Sequence, residues 1–399
     1  MADLLDKFRN IKKVHQHVVG LAGRDPLGAP FEKMISPTQA VIDGRECVLL
    51  GSNNYLGLTF FDKAVEAAKT ALDVAGTGTT GSRMANGSYI GHKALERKIA
   101  DFYNMNHCLL FTTGYQANVG FLSAIAGKDD YIIIDADSHA SIYDGCKLGD
   151  ATVVRFRHNN VEDLERRLKK LPEGSNKLVV IEGIYSMLGD RAPLKEMVRV
   201  SKENGAYVMV DEAHSLGVLG ENGRGLLEEA GVEDQIDFVL GTFSKSVGTI
   251  GGFCVSNHAE VENARFLARA YMFTASTPPS IVASAGATID HIKANGKELM
   301  KKLWANTEVV YPALKNLGFK VGPEMTPVIG VQMPSLEEGI RVWNTLYENG
   351  VYVNMALPPA IPAGKCLLRC SVSAAHTPEQ LETVVKAFTA ARHKDEAAA

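Results

Sequence analysis

The chain has 399 residues, 46% of them hydrophobic and 22% charged, and its formal net charge is -4. That length is long for one core and implies two lobes, while the ordinary composition excludes a disordered chain. Charges of both signs alternate along it, and a net negative chain without a basic face is a poor partner for a phosphate backbone, so nucleic acid is excluded as the main ligand.

The N-terminus, "MADLLDKFRNIKK", is charged throughout and has no apolar core segment, so it does not read as a secretion signal. Over residues 3–19, Leu4, Leu5, Phe8, Ile11, Val14 and Val18 recur at helical spacing. This amphipathic helix is expected to pack on its own fold or on a twin subunit, in preference to lying on a membrane surface. Helices are predicted over 62–76, ending at Gly76, and over 92–103. Short apolar runs then alternate with helical stretches. The runs are "CLLFTTG" (108–114), "YIIID" (131–135), "TVVRF" (152–156), "LVVIEG" (178–183), "YVMVD" (207–211), "FVLGT" (238–242) and "GGFCVS" (251–256). Helical patterns lie between most of them, among them 161–171 and 193–205. Continuous apolar strands separated by helices imply an α/β fold whose central sheet is mostly parallel and covered by helices on both faces. In such sheets ligands bind beyond the carboxyl ends of the strands.

After about residue 290 the texture changes. A long polar helix leads into short strands near 328–333, 351–355 and 366–372 and a final helix opening on "TPEQ", with Thr377 as N-cap and Gln380 completing a capping box. The expected division is an N-terminal helix and extension over 1–45, a large α/β domain over 46–285 and a smaller α+β domain over 286–399. No apolar run of about 18 residues spans a membrane. The six cysteines form no C-x-x-C pair and lie mostly in apolar runs, which suits a reducing, cytoplasmic compartment and no metal site.

Two glycine-rich motifs fail their context tests. "GTGTTG" (76–81) fits G-x-G-x-x-G but follows a helix where a dinucleotide fingerprint follows a strand. "GTFSKS" (241–246) has no glycine directly before Lys245 and too short a spacing for a phosphate-binding P-loop. Three strand ends nevertheless carry chemistry. Asp211 closes "YVMVD", with His214 three residues on; alone it could equally be a helix N-cap. His139 follows "YIIID", and a lone histidine is usually structural. Lys245 follows "FVLGT". A lysine forming a covalent bond to an aldehyde, a carboxylate holding a ring nitrogen protonated, donors for a phosphate and a planar group against a ring are the four things pyridoxal phosphate (PLP) requires. Lys245, Asp211, "TTG" (112–114) with Thr242, and His139 supply them in turn.

At this point "GSNNYLGL", "TGYQAN", "DSHASIYDG", "EGIYSMLGD", "VDEAHSLGVLG", "GTFSKSVGTIGG", "FTASTPPS" and "LLRCSVSAAHT" together resemble the α-oxoamine synthases, fold-type-I PLP-dependent transferases. The resemblance runs from about Asp43 to the last helix. Members condense an amino acid with an acyl-CoA and release CoA and CO2. "GTFSKS", "YMFTASTPPS" and "YVNMALPPAIPAG" are similar to the bacterial branch acting on L-serine and palmitoyl-CoA or another long-chain acyl-CoA. Other branches usually carry glycine where this chain has Ser244.

The resemblance implies that Lys245 holds PLP and later removes the serine Cα proton. It implies that Asp211 pairs with the ring nitrogen, that His214 and Ser186 contact the ring hydroxyl region, and that His139 stacks on the ring. Gly114 and Tyr115 would bind the phosphate through their amides and Thr242 through its hydroxyl. Family members are homodimers with a shared site, which would bring Thr274 to the neighbouring subunit's phosphate. Arg369 would bind the amino-acid carboxylate, with Asn53 and Tyr55 nearby. An acyl carrier protein could stand in for CoA. One departure is Leu357, where some members of the branch carry an arginine, which keeps alanine or glycine open as the amino acid. A second α-oxoamine activity, a PLP aminotransferase and a colourless nucleotide-binding protein are the alternatives.

Overall fold

A computed structural model describes residues 3–358, 361 and 365–396. It divides into two compact units. One comprises Met1–Asn53, Met187–Gly189 and Lys302–Ala399, the other Asn54–Ser186 and Asp190–Lys301.

The first unit opens with α1 (Asp6–Ala22), then β1 (Phe31–Ser36), β2 (Gln39–Ile42) and β3 (Arg45–Leu49). On α1, Val18 is buried while Phe8, Ile11 and Val14 stand exposed, as does Leu4 just before it. The second unit holds α2 (Asp62–Ala75), α3 (Ile90–Phe102), β4 (His107–Phe111), α4 (Gly114–Ile125), β5 (Tyr131–Asp135), α5 (Ala140–Leu148) and β6 (Thr152–Phe156). It continues with α6 (Val161–Leu168), β7 (Lys177–Glu182), α7 (Leu194–Glu203), β8 (Tyr207–Asp211), α8 (Leu226–Glu229), β9 (Phe238–Thr242), β10 (Gly252–Ser256) and α9 (Arg269–Met272). The helix α10 (Pro279–Asn316) passes from the second unit to the first after Lys301. The first unit then resumes with β11 (Val328–Met333), α11 (Leu336–Glu348), β12 (Val351–Tyr352), β13 (Asn354–Ala356), β14 (Cys366–Ser371) and α12 (Pro378–Glu396).

The second unit is organised by a seven-stranded sheet in the order β4-β10-β9-β8-β7-β5-β6. Only β10 runs against its neighbours; the pairings of β9, β8, β7, β5 and β6 are all parallel. Apart from the edge strand β6, most of which is exposed, its strands are continuous apolar runs covered on both faces, and Leu109, Phe121, Ile132, Ile134, Val180, Met209 and Leu240 pack into one core. The parallel strands therefore deliver Asp135, Glu182, Asp211 and Thr242 to the same edge of the sheet.

In the first unit, β1, β2, β3 and β12 form one sheet and β11, β14 and β13 another. Trp343 is fully buried there, its Nε1–H donating to the Val353 carbonyl (2.9 Å). The expected capping box is present: Thr377 Oγ1 accepts from the Gln380 amide at 3.3 Å and Gln380 Oε1 accepts from the Thr377 amide at 3.2 Å. The helix expected near residue 293 in fact begins at Pro279. Its first turns, "PSIVASAGATIDHI", bury Val282, Ala285, Ile289 and Ile292 and are too rich in small residues to show a polar face. Among the described residues no helix is long and apolar enough to cross a membrane.

Candidate active site

The first element of the site is a helix start. After β4, Thr113 takes an extended conformation as N-cap of α4. Its hydroxyl accepts from the Gln116 amide (3.0 Å) and its carbonyl from the Ala117 amide (3.0 Å). The Gly114 and Tyr115 amides are left, and neither meets an acceptor among the described residues. Two outward N–H groups at the positive end of a twelve-residue helix make an anion cradle. Glycine is needed here because a Cβ at 114 would lie 2.7 Å from Thr242 Cβ, so α4 can start against the end of β9 only without a side chain. The Thr242 hydroxyl donates to the Gly251 carbonyl (2.9 Å), and the exposed Ser244 Oγ lies 2.8 Å from it. The hydroxyl expected to meet a phosphate is thus already engaged by the Gly251 carbonyl and by Ser244, whose amide also donates to it (3.3 Å) and whose own hydroxyl lies exposed in the same turn.

Lys245 sits half-buried in that turn. The loop is closed by Phe243 N–H to Gly251 O (3.0 Å), Thr249 N–H to Phe243 O (2.9 Å) and Gly248 N–H to Lys245 O (2.9 Å), so the lysine rises from a fixed backbone. Asp211 is buried at the end of β8. One carboxylate oxygen accepts from the Ala213 amide (2.9 Å), the other from Asn118 Nδ2 (2.7 Å). His139 is N-cap of α5, its Nδ1 accepting from the Ser141 amide (3.2 Å), and its exposed ring meets the edge of Tyr115 at 6.5 Å. Burial holds this imidazole below its ordinary pKa; Asp211 opposes that and the Lys245 charge adds to it. His139 therefore feels the field of both the Asp211 carboxylate and the Lys245 ammonium.

His214, also buried, lies with Nδ1 2.7 Å from the Tyr55 hydroxyl. Tyr55 itself is fully buried, so the structure gives it a partner in His214. Ser186 follows β7 and is half-buried. Thr274 Oγ1 accepts from Gln116 Nε2 of its own chain (3.3 Å), beside the helix start. In the first unit, the buried Arg369 of β14 donates from Nη1 to Asn53 Oδ1 (2.8 Å) and to Ser371 Oγ (3.0 Å). Leu357 is half-buried after β13, whereas Pro359, Ala360 and residues 362–364 of "YVNMALPPAIPAG" lie outside the described residues.

Sequence reasoning missed three neighbours of this cluster. Glu182 ends β7 and accepts the His139 amide; burial, reinforced by Asp211, pushes its carboxyl well above the usual range. Asn118 and Ser141 lie between Asp211 and His139. The available signal was an acid closing a strand, for Glu182; Asn118 stands among other polar residues of α4 and had none. Behind the cluster, His158 is clamped between Asp135 (2.8 Å) and Asp190 (2.6 Å). Burial opposes its charge, but the two carboxylates override that and push it up to about 10.

The donor set fits PLP: two amides without acceptors beside hydroxyls, a buried carboxylate, an exposed aromatic ring and a lysine within one electrostatic neighbourhood.

A sequence profile described as aminotransferase class I and II matches residues 45–388. The chain is similar to the serine palmitoyltransferase of Sphingomonas paucimobilis, 51% identical over 391 residues, which are 98% of this chain and 93% of that protein. It is also similar to the serine palmitoyltransferase of Caulobacter vibrioides, 51% identical over 389 residues, 96% of this chain and 95% of that protein. A solved structure of an S. paucimobilis serine palmitoyltransferase variant with bound PLP–myriocin aldimine superposes with a TM-score of 0.96 at 49% identity, over 99% of this chain and 100% of that one.

Proposed function

Because the chain belongs to the class I and II aminotransferase family and, within it, to the bacterial serine palmitoyltransferases, we infer that it condenses L-serine with a long-chain acyl-CoA. The products are 3-ketodihydrosphingosine, CoA and CO2, the first step of sphingolipid biosynthesis. The observation that carries this reading is 51% identity sustained over 98% of the chain.

When bound, PLP supplies an electron sink for the bonds broken at the serine Cα. Lys245 would hold it covalently through Nζ, and Asp211 would hold the ring-nitrogen proton, its carboxylate being aimed by Asn118 and the Ala213 amide. The Gly114 and Tyr115 amides, with Thr242 and Ser244, would hold the phosphate. His139 would cover the ring, and His214, aimed by Tyr55, would serve the ring hydroxyl region together with Ser186. The free Lys245 amine would accept the serine Cα proton. The Arg369 guanidinium takes the serine carboxylate, for which a planar fork is suited, with Asn53 fixing its Nη1 side.

The working form is a homodimer with a shared site, supported by the exposed Phe273 beside Thr274 and the exposed apolar half of α1. The cysteines, all free and buried, suit the cytoplasm. The acyl group arrives as a CoA thioester or on an acyl carrier protein.

The test is a screen of PLP-loaded protein with each small amino acid and acyl-CoAs of several lengths, reading thiol release and product mass. Serine with palmitoyl-CoA is expected to give the keto-amine. Product from glycine or alanine but not serine would overturn the assignment, and a protein colourless after added PLP would overturn the cofactor.

A further inference from the structure

Asp211 and His139 are joined by a chain of hydrogen bonds whose direction the chemistry fixes. The Asn118 side-chain NH2 can only donate, and it does so twice: to Asp211 Oδ2 (2.7 Å) and to Ser141 Oγ (3.0 Å). Ser141 Oγ accepts there, which leaves its proton for His139 Nδ1, 2.7 Å away. The Ser141 backbone N–H points at the same nitrogen (3.2 Å). With two donors converging on it, Nδ1 is the unprotonated nitrogen, so the neutral ring carries its proton on Nε2. The opposite orientation of the Asn118 amide would turn its carbonyl onto the Asp211 carboxylate. Its Oδ1 instead lies buried with no donor among the described residues, so the bond to Asp211 outweighs that loss.

We propose that Asn118 and Ser141 are positioning residues of the condensation. Asn118 aims the Asp211 carboxylate, and Ser141 transmits the same alignment to His139 and fixes its tautomer. The proposal deepens the function inferred above and rests on it for what the two aligned groups act upon. The fold supports it. Asn118 lies one turn after Gly114 on α4, so one rigid helix sets both the phosphate cradle and the carboxylate. The α4 and α5 helices touch closely enough that a Cβ on Gly145 would meet the Asn118 carbonyl at 2.9 Å.

The test uses the full chain labelled with ¹⁵N-histidine, with and without PLP, and His139→Asn to identify the His139 resonances. In the parent protein the Nε2–H tautomer is expected. Ser141→Ala should move the Nδ1 resonance downfield, the direction of a lost donor, and Asn118→Ala should move it too without touching the ring. On PLP-loaded protein each variant should lower kcat by about tenfold with KM for palmitoyl-CoA unchanged. The double variant should fall no further than the worse single, because both break one chain. Ser141→Thr, which keeps the hydroxyl, should restore tautomer and rate. Unmoved Nδ1 resonances, or rate losses that multiply and are not rescued by threonine, would overturn the proposal. If the parent protein binds no PLP or releases no thiol, the inferred function fails, while the tautomer measurement on PLP-free protein still decides the hydrogen-bond chain.

Discussion

If Lys245 is both the covalent anchor and the base, as proposed, replacing it by alanine should lower turnover by about a thousandfold or more. The visible band of the PLP–lysine adduct should vanish with it; a Lys245→Ala protein that still condenses substrates at the parent rate refutes the assignment. His158 presents a different case. Its pKa is raised from 6.5 to about 10, so pairing with Asp135 and Asp190 stabilises the fold fully below pH 6.5 and is lost as pH rises through about 10. His158→Gln leaves two carboxylates facing each other and should cost about 3–5 kcal/mol at neutral pH, measured by urea denaturation. The gap to the parent should narrow above pH 10. Asp211, His139 and Lys245 were legible in the sequence because each is a functional group directly after an apolar run. Asn118, Ser141 and Glu182 were not, since their meaning lies in which strand end they touch, and spacing along the chain does not show that.

Among the elements, the seven strands of the large sheet were legible almost to the residue as short apolar runs, whereas β1, β2 and β3 were not, because these short, partly exposed strands contain no unbroken apolar run. The antiparallel sense of β10 was not, as a buried run looks the same in either direction. The start of α10 was hidden by small residues that lack a polar stripe. The close pairing of α4 with α5 yields a prediction of its own. A methyl group on Gly145 meets the Asn118 carbonyl, Leu122 Cβ (3.0 Å) and Val119 Cα (3.1 Å). Gly145→Ala should therefore destabilise by about 1–3 kcal/mol and lower kcat through the displaced α5, both readable on one preparation. By contrast, Thr377→Ala removes an N-cap in the first unit and should cost about 1 kcal/mol while leaving kcat unchanged.

For the whole molecule, pH stability is set by buried groups of opposite sign. Glu212 is buried, its carboxyl pushed up to about 7 although Ser215 and the Leu226 and Leu227 amides oppose the shift. The folded state then binds more protons than the unfolded chain between about pH 4.5 and 7, and stability falls as pH rises through that window. His376, lowered by burial to about 4, acts oppositely up to its ordinary value of 6.5. Glu212→Gln should remove one falling term between about pH 4.5 and 7, so across that window the midpoint of urea unfolding should fall less, or rise more, with pH than in the parent. In solution, sedimentation should report twice the 43.1 kDa chain mass; a monomer that turns over would refute the shared site.

The place of β10 also dictates when during synthesis the site can exist. Within the sheet β4 pairs with β10 alone, and β10 ends 145 residues after β4 does (256 minus 111). At ribosomal speed that is roughly 7–30 s during which β4, which leads into α4, has no sheet to join. The cradle docks only after the segment bearing Lys245 has emerged, so a nascent or truncated chain ending before residue 252 cannot capture the cofactor by its phosphate alone.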